Sequence, residues 1–129
     1  MLKGFFKMCE YVQTKADRVI VEKGWGYEEW IWNTEYCGKI LFFKSGKRCS
    51  YHYHADKDEI LYLHSGMILM KYGEDDDISK SHEVLLTPGM SFHVVQNLRH
   101  QMIALEDSMI YEFSTHHEDS DSYRAVRGD

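Results

Sequence analysis

His52 and His54 stand two residues apart and Glu59 follows five residues later, inside the run GKRCSYHYHADKDEILYLHSG at 46–66. Imidazole and carboxylate are the donors that first-row divalent metals take in mixed nitrogen and oxygen sites. On an extended strand successive side chains alternate faces, so His52 and His54 project to one side together with Arg48 and Ser50. Tyr51 and Tyr53 then project to the other. The polar segment ADKD at 55–58 reads as a turn, and Glu59 opens the next strand. An antiparallel return brings its carboxylate level with the two imidazoles. Singly, each of these residues is an ordinary surface residue. Jointly, on one inner face, they read as a metal centre.

The elements that must position this set are short strands with turn punctuation. DRVIVEKGWG, YEEWIWN, KILFFKSG and KRCSYHYH come before the turn, and EILYLHSG and MILMKYG after it. EVLLTPG, SFHVV, QMIAL and SMIYEFST complete the set. Strands at such spacing predict an all-β sandwich or barrel. A helix fits best at 5–18, where Phe6, Cys9 and Val12 fall near one face. GEDDDISKSHE at 73–83 reads as a solvated loop. THHED at 115–119 reads as a solvated tail, because adjacent histidines on an extended chain point in opposite directions. Glu112 sits mid-strand in MIYEFS, where it either faces solvent or points inward. Inward, it is costly unless paired or functional.

A chain of 129 residues with one proline and no Ser/Gly linker fits a single domain with a real core. The net charge of −6 argues against a nucleic-acid partner. Cys9, Cys37 and Cys49 share no CxxC spacing, so a reducing compartment is expected rather than a disulfide framework. No apolar run reaches the length of a membrane span, and the N-terminal one is too short and broken for a signal peptide. The expectation is a cytoplasmic protein with no membrane partner. Trp30 and Trp32, two apart, are expected on one face, available to a sugar ring, the core or a partner subunit.

Residues 46–66 resemble the first motif of the cupin superfamily: Gly46, five residues, His52-Tyr53-His54, four residues, Glu59, six residues, Gly66. Every fixed position of that motif is filled. The resemblance implies a double-stranded β-helix, or jelly-roll, barrel that binds one divalent transition metal, with His52, His54 and Glu59 as ligands. Zinc, manganese, iron, nickel and cobalt all suit such donors. The barrel is expected over 18–129, behind an N-terminal extension at 1–17. The family's second motif has two registers here. Started from Gly89, it puts Val95 at the proline position, Asn97 at a glycine position and the ligand on His100. Started with Pro88 as the motif proline, it puts the ligand on His93. The first is preferred, since Asn tolerates the left-handed turn that a glycine position demands.

VEKGWGYEEWIWN at 21–33 resembles the Pro-Trp-Gly-x-Glu segment of mannose-6-phosphate isomerase-type cupins, with Gly24 in place of the proline. IYEFSTHHEDSDSYR at 110–124 resembles the closing strand and tail of sugar cupins. These resemblances imply an aldose–ketose isomerase acting on a sugar or sugar phosphate, with Glu59 and Glu112 as acid/base candidates. For a phosphate, Arg48 is the first candidate, because alternation puts it on the face of the histidines; Lys39 and Arg99 rank behind it. Pairing through the N-terminal segment, Phe5 and Phe6 included, would make a homodimer. A mononuclear-metal dioxygenase, a metal-bound sugar-binding module without turnover and a cupin without metal are the rival readings.

Overall fold

Two strands of uncommon length set the architecture of the computed structural model, which describes residues 9–129. β5 (Glu59–Gly73) runs for 15 residues and β8 (Arg99–Thr115) for 17, against a usual strand of about 5–6. They pair antiparallel from Glu59↔Ser114 to Gly73↔Arg99. The shorter strands are β1 (Val19–Lys23), β2 (Gly26–Asn33), β3 (Tyr36–Phe43) and β4 (Tyr51–Tyr53), followed by β6 (His82–Leu86), β7 (Ser91–Val94) and β9 (Tyr123–Val126). One half of β5 takes β7 on its other edge and the second half takes β6. On the edge away from β5, β8 pairs β3 in its second half, leading on to β2 and β1, and β4 at His100 in its first half, leading on to β9. The curled antiparallel sheet is a jelly-roll barrel, one of the two all-β forms the strand spacing predicted and the one the cupin resemblance implied.

EILYLHSG and MILMKYG, read as separate strands, form the single bent β5, and QMIAL and SMIYEFST form β8. The physical reason lies at the bend. Register shifts at Leu63/Ser65, Ser65/Met67 and Met67/Ile68 turn the strand without breaking its ladder. Gly66 sits at that bend with φ +97°, and a Cβ there would stand 2.4 Å from the Asp107 carbonyl oxygen. The closing glycine of the first motif is thus a steric requirement of the bend.

The helix expected over 5–18 is not found in its described part, where a 3-10 turn at Lys15–Asp17 is the one helical element. Residues 5–8 of that stretch, and the Phe5–Phe6 pairing surface, lie outside the described residues. Trp30 and Trp32 do not share a face, because a register shift between them breaks the alternation. Trp25 stacks on Phe43 with ring centroids 4.0 Å apart. Leu61, Leu63, Ile68, Met70 and Ile110 complete the centre of the core. Among the described residues no helix is long and apolar enough to cross a membrane.

Gly66→Ala should lower unfolding stability by roughly 1–3 kcal/mol through positive-φ strain alone, with the carbonyl clash in addition. Urea denaturation measures it; an unchanged midpoint would show that the bend can relax.

Candidate metal centre

β4 and β8 pair through one register contact, His52↔His100, so two imidazoles meet across a single rung. His54 follows β4 on the same side. One ring nitrogen from each of His52, His54 and His100 lies within 4.8 Å of the others. Their Nδ1 atoms face backbone carbonyls: His52 meets Ser50 O at 2.9 Å, His54 meets Asp121 O at 2.9 Å and His100 meets Leu98 O at 3.0 Å. A carbonyl can only accept, so each Nδ1 carries the proton and each Nε2 keeps its lone pair. Burial first, then neighbouring positive charge, pushes all three imidazoles down to about 3. They are neutral at pH 7, the form that binds a metal.

Glu59 opens β5 and its carboxylate reaches this cluster. Its Oε2 lies 3.3 Å from His54 Nε2 and 3.4 Å from Lys57 Nζ, yet it is buried and completes no hydrogen bond. An oxygen lone pair and an imidazole lone pair therefore face each other between two buried side chains. Burial and then the charge of Glu112 push the Glu59 carboxyl upward. A proton or a cation between the two acceptors relieves the conflict, so the donor set fits a divalent metal.

The other wall of the cavity is charged. Lys57 is 3% exposed, and its Nζ lies 3.1 Å from Glu112 Oε2 and 3.1 Å from His117 Nδ1, besides Glu59. Burial works against this ammonium, but Glu59 and Glu112 outweigh it and hold its pKa above the ordinary lysine value. Glu112 also accepts from Ser114 Oγ at 2.9 Å. Burial opposes its ionisation too, but Lys57, Lys39 and these hydrogen bonds outweigh burial and hold its carboxyl below the usual range. Lys39 is buried, donates to Glu28 Oε1 at 3.2 Å and lies over the Trp30 ring at 4.5 Å. These groups line one cavity of about 1030 Å³, at the upper end of small-molecule sites.

His52, His54, Glu59, His100, Glu112 and Lys39 are thus brought together in that cavity. Arg48 is not. It is exposed and does not line the cavity. Its backbone forms an isolated bridge to Ile103 and exchanges hydrogen bonds with Asp129, and β4 proper begins at Tyr51, so regular alternation does not extend back to it. Arg99 pairs with Asp76 at 2.9 Å and lies over Tyr53, away from the cavity. His93 is exposed and bonds Asp58 at 2.7 Å. Asn97 takes φ +69°, the left-handed backbone that the preferred register required.

Two residues escaped the sequence reading. Lys57 lay in a turn read as polar, and no local pattern marks its ammonium as inward. His117 lay in a tail read as solvated. The alternation of His116 and His117 does hold, and its consequence is that His116 faces out while His117 lines the cavity.

No family model and no curated protein matches this sequence. Solved structures do match the fold. CapF, a capsular polysaccharide assembling protein of Staphylococcus aureus, superposes with TM-score 0.75 at 14% identity, over 89% of this chain and 33% of CapF. KdgF from Halomonas sp. gives TM-score 0.63 at 21% identity, over 73% of this chain and 81% of KdgF. Oxalate decarboxylase from Bacillus subtilis gives 0.72 at 14%, over 87% of this chain and 31% of the enzyme. The chain spans about a third of CapF and of the decarboxylase. All three are cupin-fold proteins, and the fold of this chain is the cupin barrel.

The depressed imidazole pKa values fix a pH dependence for the metal-free protein. Unfolded histidines take up protons near 6.5 while the folded ones resist to about 3. The unfolded state then binds more protons in that window, so stability falls as pH drops through it. Urea midpoints of chelator-treated protein at pH 7, 5 and 4 should decline steadily, and more steeply than in His52→Ala. Equal slopes in the two proteins would contradict the buried neutral imidazoles.

Proposed function

We propose that this chain is a metal-dependent isomerase that interconverts an aldose and a ketose, as free sugars or sugar phosphates. The observation that carries this reading is the division of the cavity. Three imidazole nitrogens converge and Glu59 reaches one of them, His54, at 3.3 Å, while Glu112, held ionised by Lys57, lines the same cavity outside the nitrogen cluster. A metal bound by His52, His54, His100 and Glu59 would supply Lewis acidity to a carbonyl and its neighbouring hydroxyl.

The chain's own residues do the rest. Glu112 takes the proton from the carbon next to the carbonyl as that C–H bond breaks, and returns it to the former carbonyl carbon, while the proton of the neighbouring hydroxyl passes to the former carbonyl oxygen. Both of its hydrogen bonds fall on Oε2, which leaves Oε1 for this transfer. Lys57 bonds Glu112 and His117 and stands in an ion pair with Glu59. It acts as a strut rather than as the base. Trp30 offers an aromatic wall for a sugar ring, and Lys39 a donor to its hydroxyls or phosphate. The capsular polysaccharide named for CapF favours a carbohydrate ligand, and the Mn(II) centres named for the decarboxylase make manganese the first metal to try.

The test is solvent exchange. Metal-reconstituted protein is incubated in D2O with a panel of aldoses, ketoses and their 6-phosphates, and deuterium at C1 and C2 is read by NMR. Glu112→Gln should lower exchange by roughly 10²–10⁴-fold, the usual worth of a general base, with metal content unchanged. Oxygen uptake without exchange would favour an oxygenase. Binding without either would favour a sugar-binding module.

A further inference from the structure

The first three N–H groups of the turn between the two metal-facing segments meet no backbone acceptor. The N–H groups of Ala55, Asp56 and Lys57 all go to one side chain, the carboxylate of Asp121. Ala55 N–H reaches Oδ1 at 2.9 Å, Asp56 N–H reaches Oδ1 at 3.1 Å and Oδ2 at 3.2 Å, and Lys57 N–H reaches Oδ2 at 3.0 Å. The backbone carbonyl of the same residue accepts from His54 Nδ1 at 2.9 Å. Asp121 is 7% exposed and ends a 3-10 turn, Asp119–Asp121, closed by its own N–H on Glu118 O at 3.0 Å.

We infer that Asp121 is a positioning residue of the metal centre, the side chain through which the C-terminal segment sets the turn that joins His54, Lys57 and Glu59. This role rests on the reading of His52, His54, His100 and Glu59 as metal ligands. The connectivity supports it from both ends. The carbonyl of Asp121 fixes which His54 nitrogen is free, and its carboxylate fixes the chain that leads from His54 to Glu59. Lys57 lies within that chain, so the height of its ammonium between Glu59 and Glu112 depends on the same carboxylate. The Lys57 N–H is buried and costly to leave without an acceptor, and those of Ala55 and Asp56 lose the same acceptor, so this turn does not keep its shape once the carboxylate is gone.

The substitution Asp121→Asn isolates the effect. An amide keeps the shape but turns one oxygen into an N–H donor. Placed at Oδ2 it meets the Lys57 N–H donor; flipped, it meets Ala55 N–H. In either orientation one bond becomes a donor–donor contact. The probe is cobalt(II), titrated into chelator-treated protein against a competing chelator. Asp121→Asn should raise the cobalt Kd by about 10–100-fold, the usual effect of losing a group that orients a ligand. Glu118→Gln, on the same segment but bonded outward to His116, should leave it unchanged.

In the unsubstituted protein the amides of Ala55, Asp56 and Lys57 should resist hydrogen exchange as the barrel core does. That measurement stands even if a variant fails to fold. Fast exchange there, or an Asp121→Asn Kd equal to the parent's, overturns the positioning role alone. A parent that takes up no cobalt overturns the metal reading, and this role with it.

Discussion

Three hydrogen bonds from imidazole Nδ1 to backbone carbonyl hold this site in the state that gives it chemistry. They decide the tautomer of His52, His54 and His100, and so which nitrogen faces the cavity. The carbonyls of Ser50 and Leu98 belong to residues two before the histidines they hold, so these two rings are oriented by their own chain. That of Asp121 comes from the far end of the chain, so His54 depends on the docking of the last strand. Burial then keeps the rings neutral. A barrel that left these histidines wet would hold protonated rings in mild acid and lose the site.

Opposite the nitrogens stands a buried charge cluster. Two carboxylates and one ammonium share the space, with His117 as a further acceptor for the ammonium. Removing one member of such a cluster leaves a buried charge unpaired, which costs more than the intact cluster contributes. The two carboxylates differ because their surroundings differ. Glu112 has the firm bonds to Lys57 and Ser114, while Glu59 faces His54 lone pair to lone pair. One is kept ionised by the protein alone; the other would be completed by a proton or, as proposed, by the metal.

Much of this was legible in the sequence, and the particular failures have physical causes. The strands, the barrel and the grouping of His52 and His54 follow from alternation and turn residues, which are local. Asn97 at positive φ settled the register that brings His100 to the site and leaves His93 outside. Arg48 was misplaced because alternation was carried past the start of β4, to a stretch paired only through an isolated bridge. Trp30 and Trp32 were misplaced by a bulge, which composition does not reveal. Lys57 and His117 become interior only when residues 117–126 return across the barrel, a contact between positions some 60 residues apart. Such long-range closure leaves no mark on either segment alone.

The central claim is a single metal held by three imidazoles, two from the strand pair β4 and β8 and one just past β4. X-ray absorption on the cobalt(II)-reconstituted protein tests it most directly, because outer-shell imidazole scattering counts the rings bound to the metal. The account predicts three imidazoles in the parent, three in His93→Ala and two in His100→Ala. An unchanged count in His100→Ala, or a loss of one ring in His93→Ala, would contradict the site described.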